Sequence, residues 1–267
     1  MPSFAVSICA LSLAQAGVIA LPRAQPLPVL GRLRSGWWAL VPAASIVAFV
    51  FGVRALGGVA DGLTYLALVS VPLLAALALA RFVHGARPAL AALAVALFAV
   101  AWADRQGLAG ETAALMLEAF SCVTLGSLLV AVTPRLLVAL AIVAMALIDA
   151  WLVISDLLTA PNDSLNAVAP AAHLPELQRA LFGSAVMGYG DLFIAGLLGA
   201  LLASEGESQR PAVLLAAALA LLFDLLFLAV GELPATVPIA LTLVALEFAR
   251  RSRARKRDRS PCPRAPN

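Results

Sequence analysis

Nine apolar stretches, separated by short polar or basic segments, run through this chain of 267 residues. A helix needs about 20 apolar residues to cross the ~30 Å hydrocarbon core of a bilayer, and most of the stretches approach that length. They lie at residues 3–21, 37–56, 62–80, 88–103, 112–133, 136–158, 181–203, 211–230 and 232–249. Charged residues make up only 12% of the chain, whereas an ordinary soluble domain has about 25%. The pattern predicts an all-α polytopic membrane protein with about nine transmembrane helices.

The domain organisation follows from where these stretches stop. Residues 1–249 are predicted to form one transmembrane domain, with spans one to five in 1–133 and spans six to nine in 135–249. A basic tail, 250–267, is predicted to be cytoplasmic and disordered. The first span contains the small-residue sequence AQAG, which a signal peptidase could cleave, but no basic residue precedes its apolar run. We therefore expect the first span to be retained.

The basic residues predict an orientation, because cytoplasmic loops of membrane proteins are enriched in Lys and Arg. With nine spans, one side of the membrane carries 15 of the 18 basic residues, and the other carries only Arg54, Arg105 and Arg179. The amino terminus is therefore predicted outside and the carboxyl terminus in the cytoplasm. The bias to Ala, Leu and Arg favours a prokaryotic plasma membrane. The tail is expected to rest on anionic lipid, and nothing aromatic or folded accompanies it to favour nucleic acid.

Two aspartates lie inside predicted spans, where an ionised carboxylate is costly and usually functional. Span six runs outward from Leu136, which places Asp149 ~20 Å from the inner face at 1.5 Å per residue. Span seven runs inward from Leu181, which places Asp191 ~15 Å below the outer face. In a core ~30 Å thick, Asp149 is then roughly 10 Å below the outer face. Its depth agrees with that of Asp191 to about one helical turn. We therefore expect Asp149 and Asp191 to face each other.

Facing aspartates can carry out acid–base chemistry. Two like charges a few ångströms apart cannot both ionise easily, so the pair is expected to hold one proton between them. The ionised member can take a proton from water while the protonated member polarises an amide carbonyl, which hydrolyses a peptide without a metal or another cofactor. Gly188 and Gly190, just before Asp191, fit this use because glycine lets a substrate backbone approach closely. The three cysteines are scattered and indicate neither a disulfide framework nor a metal site.

Three short motifs occur in a defined order along the second half of the chain. GYGDLFIAGLL contains Asp191, LIDAW contains Asp149, and ELPATVPIAL begins the ninth apolar stretch. The first resembles the G-x-G-D segment of the presenilin and signal peptide peptidase family of intramembrane aspartyl proteases. The second is similar to that family's first catalytic segment, with Ile148 in place of the usual tyrosine. The third resembles its Pro-Ala-Leu motif, with Thr236 in place of leucine.

The resemblance implies a nine-helix presenilin-like bundle and a role for each matching residue. Asp149 and Asp191 would be the catalytic pair, and the segment Gly188, Tyr189 and Gly190 would shape the substrate-binding wall. Pro234, Ala235 and Thr236 would also contact substrate. Independently of the family, proline removes a backbone donor and leaves carbonyls that an extended substrate could pair with. The expected substrates are transmembrane helices or signal peptides with cytoplasmic amino termini, because the predicted orientation matches that of signal peptide peptidases.

Two further intramembrane acids and three alternative functions compete with this interpretation. Asp224 in span eight and Glu118 in span five lie in no motif and are predicted to be buried packing residues. Prepilin peptidases also use an intramembrane aspartate pair and a G-x-G-D, but they usually have lysine where this chain has Phe193. Pro161–Asn162 lies too far from Asp149 to match their second motif. A proton-coupled transporter or an inactive binding protein on the same fold remains an alternative.

Overall fold

The computed structural model describes residues 2–25, 27–55, 58–168, 174–228, 230 and 233–259, and within these ranges the chain is mostly helical. Eleven α-helices and two strands follow one another within these ranges. In order they are α1 Phe4–Val18, α2 Pro28–Gly31, α3 Leu40–Ala55, α4 Val59–Leu77, α5 Ala91–Ala103, α6 Leu108–Val132, α7 Arg135–Ile154, α8 Thr159–Ala167, β1 Arg179–Phe182, β2 Ala185–Gly188, α9 Tyr189–Ser204, α10 Arg210–Asp224 and α11 Val237–Arg259.

Five helical segments in the described ranges are long and apolar enough to cross a membrane. They are Gly36–Val53, Val59–Phe82, Leu108–Val132, Arg135–Ile154 and Arg210–Phe227. The apolar helices Phe4–Val18, Pro88–Ala103 and Tyr189–Ser204 are shorter. The prediction of a mostly helical membrane protein is confirmed, while the number of nine spans stays a prediction.

Helix α7 has one face exposed on the surface of the bundle and another face buried inside it. Its exposed face carries Leu140, Leu147 and Ile154, which are 55%, 66% and 85% exposed. Their seven-residue spacing places them on one stripe of the helix. Ile142 and Met145 lie on another side and are buried in the bundle. Large apolar side chains this exposed have no reason to face water, so we assign the first stripe to lipid.

Helix α9 lies at the centre of the bundle. Every residue from Ile194 to Ala203 is buried, and α9 contacts α1, α6, α7 and α11. Glycines allow the closest of these approaches, since a Cβ on Gly196 would come within 2.8 Å of the Cys122 carbonyl oxygen in α6. Small residues commonly bring membrane helices together in this way. The position of Asp191 at the start of α9 is therefore fixed from several sides.

The predicted seventh span, 181–203, is wrong in its first third. Residues 179–188 form an antiparallel hairpin instead, in which Arg179 pairs with Gly188 and Phe182 with Ala185. Gly183 and Ser184 make the turn, and Gly183 has a φ of +61°, a conformation that glycine adopts without steric cost. The backbone N–H of Gly183 donates to the Glu111 carboxylate at 2.6 Å. Asp191 thus lies in the first turn of α9, and a depth counted along a helix from Leu181 does not apply to it.

The end of the chain also differs from the prediction. A disordered tail was expected from residue 250, but α11 continues as a helix through Arg259. Residues 260–267, and residues 231 and 232 between the predicted eighth and ninth spans, lie outside the described residues. The eighth and ninth apolar stretches correspond to α10 and to the first half of α11.

Ion pairs join the start of α7, the end of α9 and the middle of α11 at the end of the bundle opposite Asp191. Arg135, the first residue of α7, pairs with Glu205 just after α9 and with Glu247 on α11. Arg250, also on α11, pairs with Glu205 at 2.6 Å and with Glu207 at 3.5 Å. Because α7 and α9 carry the two aspartates, this network holds together the far ends of the helices that present them.

We predict that these ion-paired ends face the cytoplasm. A reporter fused after Arg259 should give a cytoplasmic signal, and one inserted within 160–178 should give an external signal. The reason is the unequal distribution of 15 and 3 basic residues between the two sides, which opposes translocation of the basic side. A periplasm-active reporter paired with a cytoplasm-active one at each position measures this. The opposite pattern would overturn the expected substrate orientation as well.

Candidate active site

A cavity of about 1010 Å³ opens between the helices beside the hairpin. Its wall is mostly apolar, with contributions from α1, α3, α4, α7, α9 and α10 and from the hairpin. Polar side chains are the minority on the wall, and they include Asp149 and Asp191. A large apolar cavity with a small number of converging polar groups is the usual form of a ligand or substrate site.

The structure brings the two predicted catalytic residues together. Asp149 lies in the last third of α7 and Asp191 in the first turn of α9. Both residues are half-buried and line the cavity. Two carboxylic acids on different helices that share one cavity can hold a proton between them and activate a water.

Asp191 is oriented by the backbone of its own helix start. Its Oδ2 accepts a hydrogen bond from the Gly188 N–H at 3.1 Å, which satisfies one of the backbone donors left free where a helix begins. Gly188, Tyr189 and Gly190 all line the cavity, as predicted for the substrate-binding wall. A Cβ on Gly190 would meet no atom within 4 Å. The backbone at Gly190 therefore adjoins open space.

Tyr189 anchors this segment to α6. Its hydroxyl lies 2.7 Å from the Ser121 hydroxyl, and the Ser121 hydroxyl donates to the carbonyl of Glu118 at 2.7 Å. Glu118 itself is fully buried, and neither of its carboxylate oxygens has a hydrogen-bond partner among the described residues. Glu118 is not part of the cavity wall, which fits its prediction as a packing residue.

Asp149 receives its hydrogen bond from the third motif. The Thr236 hydroxyl donates to Asp149 Oδ2 at 2.7 Å. Thr236 immediately precedes α11, and its carbonyl accepts the Ala240 N–H at 3.1 Å, so it occupies the N-cap position. The positive end of the α11 dipole therefore points towards Asp149, which favours a negative charge there.

The rest of the third motif divides between cavity and bundle. Ala235 and Thr236 line the cavity, and Pro234 does not. The Pro234 carbonyl accepts the Val237 N–H at 3.2 Å. Pro238, in the first turn of α11, lacks a donor that the helix would leave unused at that position. The two prolines thus mark where the helix begins.

Gln15 on α1 is a site residue that sequence reasoning missed. Its side-chain amide is 1% exposed and donates to two backbone carbonyls, that of Asp191 at 2.9 Å and that of Ala235 at 3.0 Å. One amide group therefore joins the G-x-G-D segment to the third motif, and through them the two carboxylates. The only sequence signal for this role was an uncharged polar residue inside an apolar span.

One turn earlier on α1, Ser12 contacts Asp224, another acid of the cavity wall. The Ser12 hydroxyl donates to Asp224 Oδ1 at 3.1 Å, while Asp224 Oδ2 has no hydrogen-bond partner among the described residues. Both side chains line the cavity. Asp224, predicted as a packing residue, thus lies on the same wall as the aspartate pair.

We expect Gln15→Leu to lower kcat about tenfold or more while leaving KM and thermal stability nearly unchanged. Leucine has a similar volume but no hydrogen-bond donors, so the side chain at position 15 no longer bonds both motifs. The two carboxylates can then shift relative to each other, and small displacements of reacting groups lower the reaction rate strongly. Hydrogen bonds between membrane helices average only about 0.6 kcal/mol, so the fold should survive. Steady-state kinetics and thermal unfolding in detergent measure both quantities. Ser12→Ala is the matched control on the same helix face, and an equal loss of kcat there would contradict the assignment.

No cluster of three or more His, Cys, Asp or Glu side chains that could hold a metal ion occurs in the described part of the chain. Comparison with known proteins identified no matching family model, no matching curated protein and no matching solved structure. The site is therefore interpreted from its own geometry.

Proposed function

We propose that this protein is an intramembrane aspartyl endopeptidase that hydrolyses peptide bonds of transmembrane helices or signal peptides. The observation that carries the proposal is the position of two carboxylates, Asp149 and Asp191, on the wall of one large apolar cavity, where hydrogen bonds of Gln15 and Thr236 connect their segments. Each carboxylate also has its own hydrogen-bond donor. The resemblance of residues 188–191 to a G-x-G-D motif supports the same function from the sequence.

The reaction needs one ionised and one protonated aspartate. We assign the ionised form to Asp149, whose Oδ2 accepts the Thr236 hydroxyl, and the protonated form to Asp191. Asp149 takes a proton from the water as the water oxygen attacks the peptide carbonyl carbon. Asp191 donates its proton to the carbonyl oxygen, which gives a neutral tetrahedral intermediate. Asp149 then passes its proton to the amide nitrogen while Asp191 takes back a proton from one hydroxyl of the intermediate. The C–N bond breaks, a carboxylic acid and an amine are released, and both aspartates return to their starting protonation states.

The hairpin offers a place for an unwound substrate. β2 pairs with β1 along one edge, and Val186, Met187 and Gly188 on β2 line the cavity. An extended segment can add to the other edge of such a strand through backbone hydrogen bonds. Unpaired backbone is tolerated at membrane depth only beside a protein-lined cavity. A substrate segment paired in this way would continue past Gly190, so that its scissile bond would lie beside the carboxylates.

The test is proteolysis by purified protein in detergent or bilayer discs. A panel of transmembrane and signal-peptide substrates of both orientations is incubated, and the products are identified by mass spectrometry. We expect one or a few cleavages within the apolar segment and a preference for substrates with cytoplasmic amino termini. Products trimmed only at a leader boundary outside the apolar segment would favour the prepilin peptidase alternative, and no products at all would contradict the proposal.

We expect the cleavage rate to follow a bell in pH whose two limits belong to the pair and not to either residue alone. One proton must be present and only one, so the rate falls when the pair holds two protons and when it holds none. EDTA or 1,10-phenanthroline should leave the rate unchanged, because the mechanism uses no metal. Inactivation by a chelator that added Zn²⁺ reverses would be incompatible with this mechanism.

A further inference from the structure

A second, smaller cavity lies at the opposite end of α9 from the aspartates. It has a volume of about 250 Å³ and is formed by the loop after α1, the end of α6, the start of α7 and the end of α9. The polar lining residues are Arg23, Gln25, Arg34, Ser127, Thr133, Arg135 and Ser204. Because α9 rises 1.5 Å per residue, roughly 20 Å separate Ser204 from Asp191. The cavity is thus distinct from the proposed active site.

The charge lining this cavity is positive. Arg135 is paired with Glu205 and Glu247, but no ion pair of Arg23 or Arg34 occurs among the described residues. Arg23 donates to uncharged acceptors only, the Arg81 carbonyl at 3.0 Å and the Gln25 side chain at 3.2 Å. No acidic side chain within the described ranges lines the cavity. Two guanidinium charges are therefore available to an anion.

Two buried hydroxyls in the same cavity lack partners. Thr133 is 1% exposed, and neither its Oγ1 nor Ser127 Oγ has a hydrogen-bond partner among the described residues. Buried polar atoms are nearly always satisfied in native proteins, and each exception needs an explanation, of which a bound water, ion or ligand is one. A hydroxyl beside arginine forks is a suitable arrangement for the oxygens of a phosphate.

The neighbouring side chains place the cavity at the level of lipid headgroups. Trp37 and Trp38, three and four residues after Arg34, are 79% and 42% exposed, and Leu33 is 57% exposed. Exposed tryptophans are typical of the membrane–water interface. The cavity lies at the ion-paired end of the bundle, which is the predicted cytoplasmic side, where anionic lipids are concentrated.

We infer that this cavity binds the phosphate-bearing headgroup of an anionic phospholipid. The phosphate lies between Arg23 and Arg34, and the Thr133 and Ser127 hydroxyls donate to its oxygens. The lipid's acyl chains extend along the exposed apolar surface beside Trp37. A free phosphate shares this chemistry but lacks the apolar part, so the two sources can be told apart. The inference concerns binding only and does not rest on proteolysis.

The experiment measures lipid binding to purified protein by native mass spectrometry and by thermal unfolding in detergent. Phosphatidylglycerol, phosphatidylcholine and inorganic phosphate are titrated separately. We expect phosphatidylglycerol to bind at least tenfold more tightly than phosphatidylcholine and to raise the unfolding midpoint by several degrees. Equal binding of the two lipids overturns the inference. Inorganic phosphate binding as tightly as phosphatidylglycerol overturns the assignment to a lipid.

Variants locate the binding. Arg34→Gln, Arg23→Gln and Thr133→Val should each weaken phosphatidylglycerol binding about fivefold or more. Arg32→Gln is the matched control, since Arg32 is exposed in the same loop but does not line the cavity. Thr133→Val removes an unpartnered buried hydroxyl and should not destabilise the unliganded protein, so its effect reports on the ligand. Weakening by Arg32→Gln equal to that by Arg34→Gln would show binding to the loop's general charge and overturn the site.

Discussion

Asp149→Asn and Asp191→Asn are each expected to abolish cleavage almost completely, with a loss of about a thousandfold or more. The two carboxylates act as one unit, because one must take a proton from water while the other donates. The double variant should therefore be scarcely slower than either single variant. The fold should survive, since an amide avoids a buried charge and still accepts the Thr236 hydroxyl or the Gly188 N–H. Rates from a fluorogenic transmembrane peptide, with unfolding midpoints alongside, measure both expectations.

The matched control lies on the same cavity wall. Asp224→Asn removes an acid that also lines the cavity but is bonded to Ser12 and not to the pair, so most activity should remain. Glu118→Gln should likewise be tolerated, because that side chain lies off the cavity. An indispensable Asp224 together with an Asp149 that tolerates asparagine would contradict the protease mechanism. A proton pathway past Asp224 would then be the better account, and the transporter alternative would gain support.

The pairing of Asp149 with Asp191 shows how far the sequence could lead. Apolar stretches and costly intramembrane acids were enough to predict a helical membrane protein and to select two carboxylates out of many. The argument from equal depths assumed that a helix runs from Leu181 through Asp191. The chain instead forms a hairpin there, with a glycine turn at Gly183 and Gly188 in extended backbone just before α9 begins. Both side chains line one cavity, but the depth argument is not the reason.

Contacts between distant segments could not be predicted at all. Gln15 and Ala235 are 220 residues apart in sequence. No pattern in the first span predicts that the Gln15 side-chain amide contacts α9 and the residues just before α11. Hydrophobic periodicity reports which residues avoid water, but it does not report which helices are neighbours. A single polar residue in a span could as well have bonded within its own helix. Only the arrangement of α1 against α9 distinguishes these outcomes.

The departure of Thr236 from the Pro-Ala-Leu pattern has a specific meaning in this structure. A leucine at this position could contact substrate but could not donate a hydrogen bond. Threonine places its hydroxyl 2.7 Å from Asp149 Oδ2 and is itself only 2% exposed. The motif interpretation and the observed geometry therefore make different kinetic predictions. The motif interpretation predicts that Thr236 affects substrate affinity. The observed geometry predicts that Thr236 positions a catalytic carboxylate.

Thr236→Val is expected to lower kcat about 10- to 100-fold with less than a threefold change in KM. Valine keeps the shape of threonine but removes the donor, and a hydrogen bond to a charged group contributes about 1.5–3 kcal/mol. Thr236→Ser retains the hydroxyl and should restore kcat to within about threefold of the wild-type value. The pH profile of kcat should change in the valine variant and not in the serine variant, because only valine alters the surroundings of Asp149.

An infrared measurement separates this expectation from proteolysis itself. With ¹³C-labelled aspartate, the carboxyl bands of Asp149 are obtained by subtracting the spectrum of Asp149→Asn, and they should shift in Thr236→Val even if no substrate is known. An increase in KM with kcat and the bands unchanged would return Thr236 to the substrate-binding role that the motif predicted. Removal of the Thr236 hydroxyl takes a hydrogen bond away from Asp149 Oδ2, so the carboxyl bands of Asp149 should shift whenever that bond matters. A change in kcat without a band shift would therefore also contradict the positioning role.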